Sequence, residues 1–363
     1  MTFSATDHAL MARALALAER GLETTTPNPR VGCVLAKEGK IVGEGWHARA
    51  GEAHAEVHAL RAAGEHARGA TAYVTLEPCA HHGRTPPCAD ALIAAGVTRV
   101  VAAMQDPNPQ VAGQGLARLR AAGIDTAVGL LQAQAYELNI GFVSRMTRGR
   151  PWLRIKTASS LDGKTALNNG ISQWITGEAA RHDGHRWRAR ACAVLTGIGT
   201  VRADDPQLTV RAVPASRQPL RVLVDARLEV STRARILADG HCLIATATDD
   251  ATKAAALRQR GVELLYLPDR HGKVDLPALL YELGRRGFNE VHVEAGCGLS
   301  GALLRTGCVD ELLIYLAPTL LGEAAQGLFR LPELSALDEA IRLRIVDLRL
   351  VGGDLRLLAR PAT

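Results

Sequence analysis

Apolar positions along the first part of the chain follow helical spacing and then the short runs typical of strands. Asp7 to Arg20 carries apolar residues at helical spacing and ends at Gly21, a usual C-terminal cap. Two β-prone runs, Val31 to Ala36 and Ile41 to Trp46, flank the turn Lys37 to Lys40. This pattern predicts a helix followed by a hairpin.

After the hairpin, predicted helices and strands alternate as far as residue 142. The segments are helix His54 to Ala63, strand Ala70 to Leu76, a helix opening at Pro87, strand Arg99 to Ala103, helix Gly113 to Ala122, strand Ile124 to Val128 and helix Gln132 to Phe142. This alternation is typical of an α/β fold in which helices cover both faces of a sheet. The first part of the chain is therefore predicted to be a layered sandwich.

The second part also alternates. Its predicted segments are strands Trp152 to Ser159, Ala193 to Thr196, Leu220 to Asp225, Cys242 to Thr246, Glu263 to Leu267 and a strand ending at Glu294, with helices Glu178 to Arg190, Ala251 to Arg260 and one after Ala295. Gly197 to Pro206 is predicted to be a glycine-bearing loop. The tail predicts a hairpin across Gly352-Gly353, and such an antiparallel edge after α/β units indicates a mixed sheet.

A boundary between two domains is predicted in the glycine- and arginine-bearing stretch Gly141 to Pro151. The 363 residues suit two domains of about 150 to 200 residues each. We expect the domains to be residues 1–147 and 148–363.

Composition and charge narrow the class of protein. The chain has 47% apolar residues but no apolar run of about 20 residues, so no membrane segment is predicted. The N-terminus lacks the features of a secretory signal, and the seven cysteines show no disulfide pattern, which favours the cytoplasm. The net charge of +6 is spread evenly, and aromatic residues are only 4%. These features disfavour nucleic acid as a partner and favour a small anionic substrate.

The most informative stretch is His54-Ala55-Glu56 with Pro78-Cys79 and Cys88. One histidine and two cysteines suit zinc and leave a fourth position open for water. Glu56 is placed to move protons to and from that water, as in zinc deaminases. A structural zinc site, closed by another histidine such as His47, His58, His81 or His82, or simply buried thiols, is the alternative. The glutamate two residues after His54 disfavours it.

Local structure supports these roles. His54 and Glu56 are predicted in the first turn of a helix, where residues two apart point in different directions. Cys88 is predicted at a helix start, where the thiol pKa falls toward the thiolate that zinc requires.

The second informative stretch begins where a strand ends at Glu294. Gly296-x-Gly298-x-x-Gly301 opens a helix, and glycines there let backbone N–H groups approach a phosphate. The pattern lies near the end of the chain, so a true Rossmann domain is not expected. Arginines on the helix Glu178 to Arg190 are ordinarily a solvated face.

Taken together, the motifs closely resemble the RibD (RibG) family of bifunctional riboflavin biosynthesis proteins. The first half matches in Gly45-x-His47, His54-Ala55-Glu56 and the nine-position spacing of Cys79 and Cys88, preceded by Pro27-Asn28-Pro29. The second half matches in Lys156-x-Ala158-x-Ser160-Leu161-Asp162-Gly163, Gly197-x-Gly199-Thr200-Val201-x-x-Asp204-Asp205-Pro206 and Val293-Glu294-Ala295-Gly296. The resemblance covers nearly the whole chain. It implies a cytidine-deaminase-like α/β/α sandwich followed by a dihydrofolate-reductase-like α/β domain with a mixed sheet.

The same resemblance implies specific contacts and reactions. In the deaminase domain, which uses Zn²⁺, the substrate contacts would be Asn28, His47, His81 and Arg84, with Arg84 standing where the family often has lysine. In the reductase domain, the NADPH contacts would be Ala158, Trp174, Thr200, Asp204, Gly296, Cys297, Gly298, Leu299, Ser300, Gly301 and Ala302. The substrate contacts there would be Ser172, Arg188, Leu208, Arg211 and Glu294.

The implied activity is hydrolytic deamination of a phosphoribosylated diaminopyrimidinone, followed by NADPH-dependent reduction of its ribosyl group to ribityl. Lys156 and Glu294 are candidates for the proton chemistry of the reduction, with substrate or cofactor positioning as the alternative. The family suggests a homodimer or homotetramer. Two rival hypotheses are a nucleic-acid or nucleoside deaminase with an accessory domain, and a zinc-stabilised nucleotide-binding module without activity.

Overall fold

The chain forms two compact units in a computed structural model that describes residues 2–80 and 86–362. Contacts within the chain define the units as Met1–Gly149 and Arg150–Thr363. None of the helices in these ranges combines the length and apolar character that a membrane-spanning helix requires.

The first unit is a five-stranded sheet with helices. Its elements are α1 (Ala5–Ala18), β1 (Gly32–Lys37), β2 (Lys40–Trp46), α2 (Ala55–Ala63), β3 (Thr71–Val74), α3 (Cys88–Ala94), β4 (Arg99–Ala102), α4 (Gln114–Ala121), β5 (Asp125–Val128), α5 (Gln132–Leu138) and α6 (Ile140–Arg148). The strand order is β2-β1-β3-β4-β5. Strand β1 is antiparallel to β2 and β3, whereas β3, β4 and β5 are parallel.

Glycines allow two helices to lie directly on the sheet, one on each face. A Cβ on Gly32 would lie 2.0 Å from the carbonyl oxygen of Ala14 in α1. A Cβ on Gly45 would lie 2.4 Å from the carbonyl oxygen of Ala55 in α2. Because Gly45 pairs with Cys33, the neighbour of Gly32, the two glycines face opposite sides. The predicted sandwich is confirmed, and α2 approaches β2 where the candidate site begins.

The second unit is built on a nine-stranded mixed sheet. Its elements are β6 (Trp152–Ser160), β7 (Lys164–Ala166), α7 (Glu178–Arg190), β8 (Ala193–Gly197), α8 (Ile198–Asp204), β9 (Leu220–Val224), β10 (Cys242–Thr246), α9 (Ala251–Arg258), β11 (Glu263–Tyr266), α10 (Leu276–Arg285), β12 (Glu290–Val293), α11 (Cys297–Arg305), β13 (Glu311–Ala317), β14 (Gln326–Gly327), β15 (Leu343–Val351) and β16 (Asp354–Pro361). The strand order is β11-β10-β9-β8-β12-β6-β13-β16-β15, and β14 pairs with β7 separately. All neighbours are parallel up to β13, and the final hairpin is antiparallel, so the predicted mixed sheet is confirmed.

Two predicted segments were wrong. The loop predicted at Gly197 to Pro206 contains α8, because Ile198 and Val201 pack into an apolar cluster beneath the helix. The single helix predicted from Gln132 breaks at Asn139 and resumes through Arg148, so most of the predicted linker is helical. The Asn139 side chain accepts a hydrogen bond from the Arg30 amide at 2.8 Å and donates one to the Arg30 carbonyl at 2.9 Å. These hydrogen bonds to the backbone of Arg30 stabilise the interruption of the helix at Asn139.

We expect Gly45→Ala to destabilise the first unit by roughly 1 to 3 kcal/mol, the usual penalty for overpacking, because the new methyl group pushes α2 away from β2. The melting temperature and the rate of any reaction at the first unit's site should both fall. Gly353→Ala is the matched control, since a Cβ there meets nothing within 4 Å. Equal melting temperatures for the two variants would contradict the tight contact.

Candidate active sites

Three element ends in the first unit bring together a histidine and two cysteines. His54 is the residue immediately before α2, with extended backbone (φ −76°, ψ 165°), rather than inside the first turn as predicted. Cys79 follows β3, and Cys88 is the first residue of α3. The ligand atoms of the three residues all lie within 4.8 Å of one another. The His54 Nδ1 atom is 3.3 Å from Cys88 Sγ and 3.7 Å from Cys79 Sγ.

This donor set fits zinc. One imidazole nitrogen and two sulfurs provide three ligands of the type zinc prefers and leave a fourth tetrahedral position. Hydrogen bonds from the Cys88 side chain, His54 and the Cys88 amide, which lies 3.3 Å from Cys79 Sγ, lower the pKa of Cys79 to about 4. Cys88, at the start of α3, is the partner in this pair of thiols. Its hydrogen bond to Cys79, together with burial, raises the pKa of Cys88.

Glu56 lies in the first turn of α2 and is 3% exposed. Burial raises the pKa of this carboxyl to about 7, against the opposing effect of His54. A carboxyl with a pKa near neutrality can both accept and return a proton at physiological pH. The side chain lines the same pocket as His54 and Cys79.

Asn28 and His47 form a second polar pair in this pocket. Asn28 Nδ2 donates to His47 Nε2 at 3.1 Å, and His47 Nδ1 lies 3.1 Å from the Ala53 carbonyl oxygen. This arrangement requires the Nδ1 tautomer of a neutral ring, and burial lowers the pKa of His47 accordingly. With its nitrogen engaged, Asn28 retains its side-chain oxygen as an acceptor.

The pocket has a volume of about 310 Å³ and includes a wall that the sequence reasoning missed. The additional lining residues are Asp106, Asn108, Val111, Phe142, Arg145 and Met146. A signal was present, because the tripeptide Pro-Asn-Pro occurs twice, at residues 27–29 and 107–109, and the second copy follows β4. Two predicted substrate contacts, His81 and Arg84, lie outside the described residues.

The second unit gathers charged side chains between the sheet and α7. Arg188 in α7 forms a bidentate ion pair with Glu294, with Nε–Oε1 at 2.7 Å and Nη2–Oε2 at 2.9 Å, and also donates to the Thr209 carbonyl at 2.6 Å. Burial alone would raise the pKa of Glu294, but Arg188 and Lys156 more than offset this and hold it well below its usual range. Burial lowers the pKa of Lys156.

The predicted glycine stretch forms the start of α11, with Gly296 as its N-terminal cap. The Gly296 amide donates to Thr200 Oγ1 at 3.1 Å, which joins α8 to α11. Gly296 and Gly298 are exposed, Cys297, Leu299 and Ala302 are partly exposed, and Ser300 and Gly301 are buried. A Cβ on Gly301 would lie 2.1 Å from the Arg330 carbonyl oxygen, so this glycine allows close packing.

The other predicted contacts of the second unit occupy varied environments. Trp174 is 67% exposed, and the Arg181 guanidinium lies 4.7 Å from its ring. Leu208 is buried with a positive φ of 53°. The Arg211 amide lies 3.4 Å from His185 Nδ1. Of the remaining three, Ala158 and Ser172 are partly exposed and Asp204 is exposed.

Two family models match the chain. One, described as the cytidine and deoxycytidylate deaminase zinc-binding region, matches residues 4–104. The other, described as the RibD C-terminal domain, matches residues 151–357. The first match contains all three candidate metal ligands of the first unit. The second contains Lys156, Arg188 and Glu294.

Relatives and solved structures match over almost the full length. The riboflavin biosynthesis protein RibD of Escherichia coli (strain K12) is 52% identical over 362 residues, covering 96% of this chain and 98% of the relative. The protein of that name from Haemophilus influenzae is 48% identical, covering 99% of both chains. The structure of Acinetobacter baumannii RibD, form 1, aligns with a TM-score of 0.91 at 44% identity, covering 99% of each chain. A Thermotoga maritima deaminase/reductase structure aligns with a TM-score of 0.88 at 33% identity, covering 98% of this chain and 99% of that one.

We expect Arg188→Met to destabilise the second unit by about 3 kcal/mol at pH 7, because it leaves the Glu294 carboxylate, whose side chain is only 17% exposed, without its main partner. The folded-state pKa of Glu294 is lowered, so the ion pair contributes stability above the ordinary glutamate value of 4.5 and loses it as the pH falls further. Thermal unfolding at a series of pH values measures both effects. Arg186→Met, an exposed position on the same helix, is the control, and Arg188→Met/Glu294→Gln should recover part of the loss.

Proposed function

Because the chain belongs to the RibD family, we propose that its two units catalyse two reactions of riboflavin biosynthesis. The first unit hydrolyses an amino group from diaminohydroxyphosphoribosylaminopyrimidine, and the second reduces 5-amino-6-(5-phosphoribosylamino)uracil at its ribosyl group. The observation that carries the proposal is the convergence of His54, Cys79 and Cys88 within 4.8 Å beside Glu56, in a chain that also holds the reductase match.

In the deaminase, His54 Nδ1 and the sulfurs of Cys79 and Cys88 would hold Zn²⁺. Bound zinc supplies a water that is nucleophilic at neutral pH. Glu56, which lines the same pocket, would accept a proton at its carboxylate and return protons to the substrate's ring nitrogen and the departing ammonia. Its pKa of about 7 suits both transfers, since neither protonation state is strongly favoured.

Asn28 and His47 orient the pyrimidine. Asn28 lines the pocket and its side-chain nitrogen is engaged by His47, so its side-chain oxygen would accept an N–H from the substrate. His47 is held by the Ala53 carbonyl and keeps the Asn28 amide in one orientation. This division assigns the substrate contact to Asn28 and an orienting contact to His47. The family resemblance adds His81 and Arg84, with Arg84 a partner for the substrate phosphate.

In the reductase, the nicotinamide cofactor supplies the hydride. The first turn of α11, from Gly296 to Leu299, would hold the cofactor's phosphates through backbone N–H groups. Lys156 is partly exposed, and desolvation lowers its pKa, which makes its ammonium a ready proton donor. Glu294 stays ionised beside Arg188 and fixes the charge around Lys156, while Arg211 and Ser172 would contact the substrate.

The remaining predicted contacts are proposed on the family pattern. They comprise Ala158, Trp174, Thr200, Asp204, Ser300, Gly301 and Ala302 for NADPH, and Leu208 for the substrate. Ser300 and Gly301 would act by setting the backbone of the cofactor loop, since both are buried.

We expect Glu56→Gln to lower the deaminase kcat by roughly 10²- to 10⁴-fold, the usual size of general acid–base catalysis, with zinc content unchanged. Ammonia release is measured with the diaminopyrimidine substrate, and NADPH oxidation is measured on the same protein with the deaminated uracil substrate added directly. The reductase rate then does not depend on the deaminase and reports whether the second unit has folded. Removing zinc with a chelator should abolish ammonia release and leave NADPH oxidation intact.

Three results would contradict this assignment. If the Glu56→Gln variant keeps the full deaminase rate, Glu56 does not transfer the protons of the reaction. A wild-type chain that deaminates cytidine or tRNA but not the pyrimidine phosphate supports a nucleoside or nucleic-acid deaminase. A chain that binds zinc and nucleotide but turns over no candidate is a binding module.

We further propose that the chain acts in the cytoplasm as a homodimer or homotetramer. In the part of the chain that the structure describes, none of the seven cysteines is joined in a disulfide, as is usual in reducing compartments. Strand β15 is an edge of the nine-stranded sheet and exposes apolar side chains, among them Ile345, Leu348 and Leu350. An exposed apolar edge strand favours pairing, and two copies of the same edge can pair antiparallel about a two-fold axis.

We expect Leu348→Asp to shift the chain toward monomer, because the carboxylate would be buried in the paired edge. Sedimentation velocity at micromolar concentration measures the change. Tyr266→Asp is the matched control, since Tyr266 is an exposed apolar residue on β11, the opposite edge of the same sheet. A monomeric wild type, or equal effects of the two variants, would contradict the proposed edge.

A further inference from the structure

Glu77 holds the pocket wall that the sequence reasoning missed. Its side chain is 5% exposed and accepts hydrogen bonds from four backbone N–H groups. Oε2 accepts from Asp106 at 3.1 Å and Gly113 at 2.9 Å, and Oε1 accepts from Gly115 at 2.9 Å and Leu116 at 3.2 Å. These donors lie at both ends of the loop 106–113 and in the first turn of α4. One carboxylate therefore anchors the whole segment.

The anchored segment belongs to the substrate pocket. Asp106, Asn108 and Val111 line the cavity that also contains His54, Glu56 and Cys79. Local hydrogen bonds shape the loop, with the Asn108 amide donating to Asp106 Oδ1 at 2.8 Å. Glu77 connects this loop to the strand end that delivers the metal ligands, since only Pro78 separates Glu77 from Cys79.

The same strand end is docked on α4 by a second contact. A Cβ on Gly115 would lie 1.8 Å from the Pro78 carbonyl oxygen, so the helix rests directly on the backbone beside Cys79. The Glu77 amide donates to the Met104 carbonyl at 2.9 Å, which fixes the base of the loop against β3. These contacts, together with the hydrogen bonds to the Glu77 carboxylate, fix the position of the pocket wall relative to Cys79.

We propose that Glu77 is a positioning residue of the deaminase, which sets the distance between the pocket wall around Asn108 and the metal ligands, and so determines how well the pyrimidine ring is seated. This inference rests on the proposed deaminase function. Glu77 is among the residues that line the pocket, and its carboxylate is occupied by the four N–H donors. It acts through the loop, because an anion is needed to satisfy four N–H donors at once. An amide at this position would turn an NH₂ group toward two of them.

The test is Glu77→Gln in the full-length chain. Deaminase KM should rise roughly 10-fold or more, the scale expected when buried donors lose their acceptor, while kcat changes less than about 3-fold. Zinc content and the NADPH reductase rate should match wild type. Glu52→Gln is the matched control, because Glu52 carries the same charge near the site but is exposed and only 3.9 Å from the exposed Arg49.

A double-mutant cycle with Asn108→Ala separates positioning from general support. If Glu77 acts through the loop, the two effects on KM are not additive. Asn108→Ala then costs less in the Glu77→Gln background, because the loop that carries Asn108 is already displaced there. Additive effects, an Asn108→Ala variant with unchanged KM, or a Glu77→Gln variant that loses zinc and kcat together would overturn the proposal.

Hydrogen exchange provides a readout that is independent of turnover. Amides within residues 106–116 should exchange faster in Glu77→Gln than in wild type, whereas amides of α2 should not change. If wild type releases no ammonia but these amides respond as expected, the proposed deaminase function fails and the anchoring by Glu77 stands. If the exchange rates of residues 106–116 are the same in both proteins, Glu77 does not anchor this segment.

Discussion

Each unit holds a carboxylate that is largely shielded from water, and its neighbours decide what chemistry it can perform. Burial on its own disfavours ionisation, and for Glu56 this effect prevails, so that its pKa rises to about 7. Glu294, whose side chain is 17% exposed, experiences the same effect, but the bidentate Arg188 and nearby Lys156 reverse the outcome. The first carboxyl is therefore suited to proton transfer, whereas the second is a fixed anion that organises the charges around it.

Each of these carboxylates depends on how closely a helix lies against the sheet beneath it. In the first unit, Gly45 lets α2 approach β2, and the helix begins beside the candidate ligand His54. In the second, α7 carries Arg188 over the face of the sheet that presents Glu294. A displacement of either helix would admit water and weaken the electrostatic effect that sets the pKa. Packing and catalysis are thus linked through burial.

The sequence predicted the chemistry better than the geometry. His54, Glu56, Cys79 and Cys88 are recognisable because zinc restricts both residue type and spacing, and the alternation of helices and strands indicated the fold class. The break at Asn139 and the helix α8 were not predictable, since one depends on the backbone of Arg30 and the other on packing against distant strands. The wall around Asn108 was missed although the repeated Pro-Asn-Pro was visible. Proline and asparagine are also common in ordinary turns, so only proximity in three dimensions distinguishes this copy.

The second unit shows why buried charge alone does not mark a reaction site. At the start of β6, Arg154 contacts Glu290 at 3.1 Å and Glu311 at 2.5 Å, and Arg190 and Arg360 supply further partners to those carboxylates. Every carboxylate there has an arginine, so the cluster serves packing and specificity of fold. Nearer Glu294 the balance differs. His292 is buried and neutral, with a pKa lowered to about 3 by burial, and in the part of the chain that the structure describes neither of its ring nitrogens has a hydrogen-bond partner. Pairing with arginine does not separate the two clusters, since Glu294 is itself paired with Arg188. What differs beside Glu294 is a buried neutral histidine whose Nε2 lies 3.5 Å from Glu294 Oε1, so the charge balance there depends on Arg188 and Lys156 rather than on a network of arginines.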